Sequence, residues 1–255
     1  MTADDLRVFA DFLSSDYDIS MNTIVTNMTL MRTVCNWVRK QGVTNNDPFF
    51  GYDMPKALYG TPYFLTIQER DQVLDADLTD DAELAEYRDM FVFQCMVGCR
   101  HSDLVTFTPK NIIDGVLEYI PIKTKGKLGD VVRVPLIPKA MAILDGHDHG
   151  DDEPIFPKHY NFKFNDAIRR ILKRAKVNRV VTVINPKTRL EEKKPISDVA
   201  TSHLARRTFI GNLYRMVKDP DLVASMSGHA KGSVAFARYR VIDDDMKKSL
   251  VELIQ

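Results

Sequence analysis

Apolar residues recur with helical spacing in the first part of the chain. Between residues 20 and 40 they return at intervals of four, three, four and three, which places them on one face of a helix. These residues are Ile24, Met28, Met31, Cys35 and Val38. Ser20 is a suitable N-cap for this helix, Gly42 is a natural end for it, and the stretch DDLRVFADFL predicts a shorter helix before it. Two helices bury little core, so residues 1–58 are expected to be part of a larger helical domain.

A second domain is predicted from residue 59 onward. Prolines at 48, 55 and 62 indicate an extended connection before it. Thr66 and Glu69 have the spacing of a helix capping box. The run YRDMFVFQCMVGC is apolar on nearly all sides, so it predicts a central buried helix that ends at Gly98.

Strand-like and helix-like patterns alternate in the rest of this domain. The segments VLEYIPIKTKGKLGDVVRVPL and VVTVINPKTRLEEKKPI each predict a hairpin, and helices are predicted over 161–176 and 198–217. Asp219 followed by Pro220 starts a short helix that ends at Gly228, and a further helix carries Tyr239. The predicted fold class is mainly α with small β-hairpins or a small sheet, an α+β architecture.

The composition is that of an ordinary globular protein. The chain has 255 residues, of which 44% are hydrophobic and 27% are charged. No apolar run approaches the roughly 20 residues that a membrane span needs, and the N-terminus carries no signal-like segment. Three cysteines make no disulfide framework and favour a reducing compartment. No second Cys/His pair accompanies Cys95 and Cys99 at zinc spacing, so no metal site is expected.

A net charge of zero hides an asymmetry along the chain. Residues 1–90 carry 7 basic and 16 acidic side chains, whereas residues 91–255 carry 28 basic and 19 acidic ones. Within the second part, residues 156–215 hold 15 basic and only 4 acidic side chains. Such a block is typical either of a solvated face or of a protein that binds a phosphate backbone.

Several residues of the second domain fit phosphoryl transfer without a metal. Arg100 follows the buried helix in GCRHSDL, and His203 and Arg206 share a helix face in SHLARRTF. His229 follows a helix end in SGH, and Tyr239 stands between two arginines in RYR. Arginine pairs bidentately with phosphate oxygens and stabilises charge that grows in the transition state. A tyrosine hydroxyl needs that field and a nearby base to act as a nucleophile. Each residue alone is more often structural, so it is the ordered combination that indicates chemistry.

From about residue 62 to residue 240, the sequence resembles the tyrosine recombinases of the phage-integrase family, of the mobile-element integrase type. The motifs GCRHSDL, KT in a hairpin that ends VRVPL, SHLARRTF, SGH and RYR occur in family order. The resemblance implies a tyrosine recombinase catalytic domain over residues 59–255. It also implies a partial helical core-binding (SAM-like) domain with a linker over residues 1–58. Only the second half of that domain is recognisable, so the chain is expected to be a fragment or to have a trimmed start.

The resemblance implies a role for each matching residue. Arg100 and Arg206 are expected to bind the phosphate, and His203 to transfer a proton. His229 is expected to donate a hydrogen bond to the scissile phosphate, and Tyr239 to be the nucleophile.

The resemblance further implies that a hairpin lysine protonates the departing 5′ oxygen. Lys123 is the first choice, and Lys125 and Lys127 follow at alternate positions as open alternatives. Asp103 is expected to support the site from a position three residues after Arg100. The residues that are expected to contact DNA are Lys125, Lys127, Arg207, Arg238 and Arg240.

The function that the resemblance implies is site-specific DNA recombination. The enzyme would cleave and rejoin DNA through a 3′-phosphotyrosine intermediate, without a cofactor, for integration and excision of a mobile element. Its expected partners are double-stranded DNA at a core or attachment site and accessory DNA-bending or directionality factors. It is not expected to bind a membrane. The chain is expected to be a monomer when free and a homotetramer on DNA, in the prokaryotic cytoplasm and associated with the nucleoid.

The C-terminal tail and the function each leave alternatives open. An apolar stripe after Tyr239 predicts a terminal helix whose apolar face must be buried. It packs either on its own domain or, as the resemblance implies and as we expect on DNA, on a neighbouring protomer. A type IB topoisomerase-like enzyme would use the same chemistry but rejoin the original ends. A DNA-binding module without catalysis, or a helical protein with a basic face, would not form a covalent adduct with DNA.

Overall fold

The structure is a computed structural model that describes residues 1–17, 19–124, 131–147, 150–217, 219–229 and 251. The chain divides into two compact units. One contains Met1–Gly60 with Thr182–Lys193, and the other contains Thr61–Val181 with Lys194–Gln255. Within the described ranges, none of the helices combines the length and the apolar character that a membrane crossing requires.

The first unit contains two helices, α1 (Ala3–Ser15) and α2 (Met21–Lys40). As predicted, the Ser20 side chain caps α2 by accepting from the Thr23 amide. The small core of the unit consists of Leu6, Leu13, Ile24, Met28 and Phe49.

A segment from far along the chain joins this first unit, which the sequence pattern did not reveal. The Met21 amide donates to the carbonyl oxygen of Pro186 over 3.3 Å. The Arg189 guanidinium donates to the carbonyl oxygen of Lys56 over 3.0 Å. Residues 182–193 therefore attach to the unit through backbone carbonyl groups. The identity of this unit as a partial core-binding domain stays a prediction.

The second unit is built around one buried helix. Its helices are α3 (Ile67–Leu74), α4 (Ala82–Val97), α5 (His101–Leu104), α6 (Pro138–Asp145), α7 (Asn161–Arg174), α8 (Ile196–Val199), α9 (Ser202–Val217) and α10 (Pro220–Ser227). The predicted buried helix is α4, which packs against α3, α6, α7 and α9. Thr66 and Glu69 form the predicted capping box of α3, and Asp219 caps α10.

Both predicted hairpins are present. Strands β1 (Ile112–Ile113), β2 (Val116–Tyr119) and β3 (Val132–Pro135) form an antiparallel sheet in that order, with Leu117 opposite Val134. Strands β4 (Val180–Ile184) and β5 (Glu191–Pro195) form a second, two-stranded sheet. The sequence pattern missed β1, α5 and α6, but the predicted fold class, mainly α with small sheets, is confirmed.

The helix that was predicted over 198–217 is interrupted in the structure. Helix α8 ends at Val199, and Ala200 has an extended backbone with ψ of 142°. Helix α9 begins at Ser202, whose amide donates to Oδ1 of Asn165 in α7 over 2.8 Å. The start of the predicted helix was therefore wrong, because a side chain from a distant helix supplies the partner for the amide.

We expect Gly98→Ala to destabilise the second unit by about 2–4 kcal/mol. Gly98 ends α4 in the left-handed conformation with φ of +68°, and a Cβ there would lie 2.2 Å from the Phe209 ring. Urea unfolding followed by circular dichroism measures the decrease in the free energy of unfolding. Gly115→Ala is the matched control, because Gly115 has φ of +75° but nothing within 4 Å of its Cβ position. Equal losses in the two variants would show that the Phe209 contact does not matter.

Candidate active site

Arg206 lies at the centre of the candidate site. Only 2% of the residue is exposed, and its Nη1 donates to the carbonyl oxygen of Gly98 over 2.6 Å. Its Nη2 lies 3.0 Å from Nδ1 and 3.2 Å from Nε2 of His229. A buried charge is stable only where polar groups satisfy it. Arg206 therefore keeps Gly98, at the end of α4, and His229, two residues after α10, beside α9.

Arg100 lies on the short loop between α4 and α5. The Gln94 side chain fixes this loop by donating to the carbonyl oxygen of Cys99 over 3.0 Å. Arg206 fixes it at the preceding carbonyl, that of Gly98. Nη1 of Arg100 is buried and has no hydrogen-bond partner among the residues that the structure describes. The loop thus holds a guanidinium with an available donor in a fixed position.

A pocket of about 310 Å³ brings three of the predicted residues together. Its lining residues are Arg100, His203, Arg206, Gln94, Cys99, His101, Ser102, Asn161 and Ser202. Guanidinium and imidazole groups thus share one cavity, and these groups bind anions and transfer protons.

Asp103 connects this pocket to the turn that carries Lys123. Asp103 is 1% exposed, and its Oδ1 accepts from the Ile122 amide over 2.9 Å. Ile122–Thr124 form a 3-10 turn in which Lys123 is exposed. The charge of Lys123 contributes to lowering the pKa of both His203 and His229. The predicted lysine therefore lies in the electrostatic environment of both histidines.

His229 follows Gly228, which ends α10 in the left-handed conformation with φ of +63°. Burial, followed by the charges of Arg206, Arg100 and Lys123, lowers the pKa of His229 to about 3. Its imidazole is consequently neutral at pH 7 and carries one ring hydrogen. Nδ1 lies 2.9 Å from Oγ of the buried Ser227.

His203 lies on α9, one turn before Arg206. The residue is exposed to solvent and also lines the pocket. Partial desolvation, followed by the charges of Arg207, Arg206, Arg100 and Lys123, lowers the pKa of His203. A neutral imidazole at this position is able to accept a proton from a reacting group.

The other predicted site residues fall into two groups. The Arg207 guanidinium lies over the Tyr63 ring, 5.1 Å from its centroid, and its role in DNA binding stays a prediction. The predicted residues Lys125, Lys127, Arg238, Tyr239 and Arg240 lie outside the described residues, as does nearly all of the C-terminal tail.

The sequence analysis missed four polar residues in or beside the pocket: Gln94, Asn161, Ser202 and Ser227. Gln94 had a signal, because it is the polar residue inside the apolar run FVFQCMV. Ser227 had one too, because it belongs to the SGH motif. Ser202 had one as well, because it is the first residue of the SHLARRTF motif. Asn161 had none, since its hydrogen bond of 3.3 Å with the Ser202 side chain joins two distant helices.

Across the described part of the chain, no cluster of three or more His, Cys, Asp or Glu side chains could hold a metal ion. Cys95 and Cys99 are both buried, and burial raises the pKa of both thiols. Neither cysteine therefore has the exposed thiolate character of a reactive residue.

The fold is shared with solved DNA recombinases. A Tn1549 transposon integrase fragment in complex with circular intermediate DNA matches with a TM-score of 0.69 and 16% identity, over 98% of this chain and 85% of that one. A lambda integrase fragment, a dimer bound to a COC′ core site, matches with a TM-score of 0.66 and 14% identity, over 96% and 81%. XerA recombinase matches with a TM-score of 0.53 and 15% identity, over 100% and 84%.

At identities of 14–16% these similarities establish the fold alone. No curated protein sequence matches the chain. The sequence model of the phage integrase family matches residues 63–246, which is most of the second unit. This range contains Arg100, His203, Arg206 and His229 as well as Tyr239. The chain therefore belongs to the phage integrase family and is a tyrosine-type site-specific DNA recombinase.

Proposed function

We propose that this chain cleaves and rejoins DNA through a 3′-phosphotyrosine intermediate formed by Tyr239. The observation that carries the proposal is the pair of arginines at one pocket. Arg206 is buried and fixed by the Gly98 carbonyl, and Arg100 keeps a buried Nη1 without a partner among the described residues. Donors that are fixed before the substrate arrives stabilise developing charge without reorganisation.

A backbone phosphate would suit this pair because it presents two non-bridging oxygens and a negative charge. Each guanidinium is able to donate two parallel hydrogen bonds, and its charge persists at any physiological pH. Negative charge on these oxygens rises as a fifth oxygen approaches phosphorus. The arginines would therefore bind the transition state more tightly than the ground state, which is the condition for catalysis.

The proposed reaction is a pair of transesterifications. The Tyr239 oxygen forms a bond to phosphorus, the bond from phosphorus to the 5′ oxygen breaks, and the tyrosine proton passes to His203. Lys123 gives a proton to the departing 5′ oxygen. A 5′ hydroxyl from a partner strand then reverses each step. No external energy source is required, because the phosphotyrosine keeps the energy of the original ester.

For the biological role, we propose integration and excision of a mobile element in a prokaryotic cytoplasm, at the nucleoid. The basic residues of segment 156–215 support binding to double-stranded DNA at a core or attachment site. Solved relatives bound to a core site and to a transposon circular intermediate are consistent with this use. We further propose a monomer that assembles as a tetramer on DNA, with accessory bending or directionality factors. A topoisomerase-like enzyme would act without synapsis of two sites.

We expect Tyr239→Phe to abolish the covalent protein–DNA adduct while DNA binding persists, because the change removes one oxygen and little volume. The substrate is a nicked duplex that carries the core site, which sequencing of the junctions of the parent element identifies. Denaturing gel electrophoresis measures the adduct. Tyr214→Phe is the control, and an adduct that survives in Tyr239→Phe but vanishes in Tyr214→Phe would reassign the nucleophile.

We expect Arg100→Lys and Arg206→Lys each to slow cleavage by about 10²–10³-fold, the scale of one lost transition-state donor. Lysine keeps the charge but loses the bidentate geometry, so binding should weaken far less than cleavage. Single-turnover kinetics and a binding titration on the same duplex separate the two effects. Arg133→Lys is the control, since Arg133 forms an exposed ion pair with Glu118. Equal losses of affinity and rate would indicate that the arginines only position the DNA.

We expect Lys123→Ala to block cleavage of an ordinary substrate. The same variant should cleave a substrate that carries a 5′-bridging phosphorothioate. Sulfur leaves without needing a proton, so the general acid becomes dispensable. Cleavage rates of the two substrates give the measurement. Lys125→Ala and Lys127→Ala are the matched controls, and rescue confined to either of them would move the role to that lysine.

A further inference from the structure

Gln94 is the one amide in the apolar run FVFQCMV, which forms the last turns of α4. Only 1% of the residue is exposed, and it lines the same pocket as Arg100. Its backbone carbonyl accepts from the Gly98 amide over 2.9 Å, and its side-chain Nε2 donates to the carbonyl oxygen of Cys99 over 3.0 Å. One residue therefore holds two successive residues of the loop that leads to Arg100.

The orientation of the Gln94 amide is fixed by its contact with Cys99. A backbone carbonyl only accepts, so the atom that faces it must be the donor Nε2. The other polar atom of the amide, Oε1, is buried and has no hydrogen-bond partner among the residues that the structure describes. The side chain thus satisfies one buried acceptor, the Cys99 carbonyl, and introduces another, its own oxygen, that stays unsatisfied.

This balance of buried acceptors means that the amide contributes little to the stability of the core. The change Gln94→Met would deprive the Cys99 carbonyl of its donor, but it would also remove the unsatisfied Oε1. The two effects oppose each other, so the variant should unfold at a temperature close to that of the wild type. What methionine does not supply is a donor that fixes the orientation of the peptide between Cys99 and Arg100.

The orientation of this peptide matters because polar contacts do not direct the Arg100 side chain. Across the part of the chain that the structure describes, the Arg100 guanidinium forms no hydrogen bond or ion pair, and its Nη1 is buried. The Arg100 carbonyl is held on the other side, where it accepts from the amides of Asp103 and Leu104 over 3.0 and 2.9 Å. If the preceding peptide rotates, the nitrogen of Arg100 moves, and the Cα–Cβ bond turns with it because the bond angles at Cα are nearly constant.

We propose that Gln94 is a positioning residue that acts through Arg100: by fixing the Cys99 carbonyl, its amide directs the Arg100 guanidinium into the pocket. The inference rests on the proposed function for the role of Arg100 at the phosphate, although the order of the side chain does not. A guanidinium that is fixed in advance needs no rearrangement when charge develops on a phosphate, and a misplacement of about 1 Å costs about 10²-fold in rate.

The first test measures the order of the Arg100 side chain in the full chain without DNA. Nitrogen-15 relaxation of the arginine Nε groups gives an order parameter for each side chain, and the spectrum of Arg100→Lys identifies the signal of residue 100. We expect this order parameter to fall in Gln94→Met. Gln72→Met is the matched control, because Nε2 of Gln72 also donates to a backbone carbonyl, that of Ala175, over 2.7 Å, but Gln72 does not line the pocket.

The second test measures cleavage of the core-site duplex. We expect Gln94→Met to lower the single-turnover rate about 10-fold to 100-fold with little change in melting temperature, and Gln72→Met to leave the rate unchanged. In an Arg100→Ala background, assayed on the 5′-bridging phosphorothioate so that slow variants stay measurable, Gln94→Met should alter the rate by less than about 2-fold, because no guanidinium is left to direct. In a Lys123→Ala background on the same substrate, the loss should stay about 10-fold to 100-fold. Gln94→Leu also lacks a donor and is a second variant for both tests.

Two results would overturn the inference. One is an Arg100 order parameter in Gln94→Met that equals the wild-type value. The other is an equal loss of rate from Gln94→Met with and without Arg100, which would mean that Gln94 acts elsewhere in the core. A wild-type chain that cleaves no DNA would instead contradict the proposed function, and the relaxation measurement would still decide whether Gln94 directs Arg100.

Discussion

The arrangement of the active site depends on one buried cation. Arg206 has lost nearly all contact with water, and an uncompensated buried charge costs several kcal/mol. Its bond to the Gly98 carbonyl keeps α9 against the end of α4, and its contact with His229 keeps the end of α10 beside both. Arg206 thereby joins the ends of α4 and α10 to α9, although more than a hundred positions of the chain separate Gly98 from His229. The pocket geometry follows from satisfying this guanidinium.

Features encoded over a few residues could be predicted from the sequence. The caps at Ser20, Thr66 and Asp219 are correct because each is a hydrogen bond between neighbours in the chain. The end of α4 is correct because Gly98 has the left-handed backbone that glycine adopts most easily. Arg100, His203 and Arg206 belong to short motifs of distinct composition and line one pocket, while their roles stay predictions.

Features that arise between distant segments could not be predicted in this way. The break before Ser202 depends on Asn165, whose side chain replaces the helical partner of the Ser202 amide. The bonds that join Pro186 to Met21 and Arg189 to Lys56 each end on a backbone carbonyl. Every residue has such a carbonyl, so the sequence pattern does not predict these bonds. The contact between Asn161 and Ser202 belongs to the same class, because it joins α7 to α9 across 41 positions of the chain.

The bond between Asp103 and Ile122 has a consequence for redesign of the enzyme. The carboxylate accepts from a backbone amide, so it holds the turn at that point for any residue 122 except proline, which has no amide hydrogen. Residue 122 is exposed, so its side chain could be changed to alter the surface beside Lys123 while the bond to Asp103 keeps the turn attached to the core that holds the two arginines.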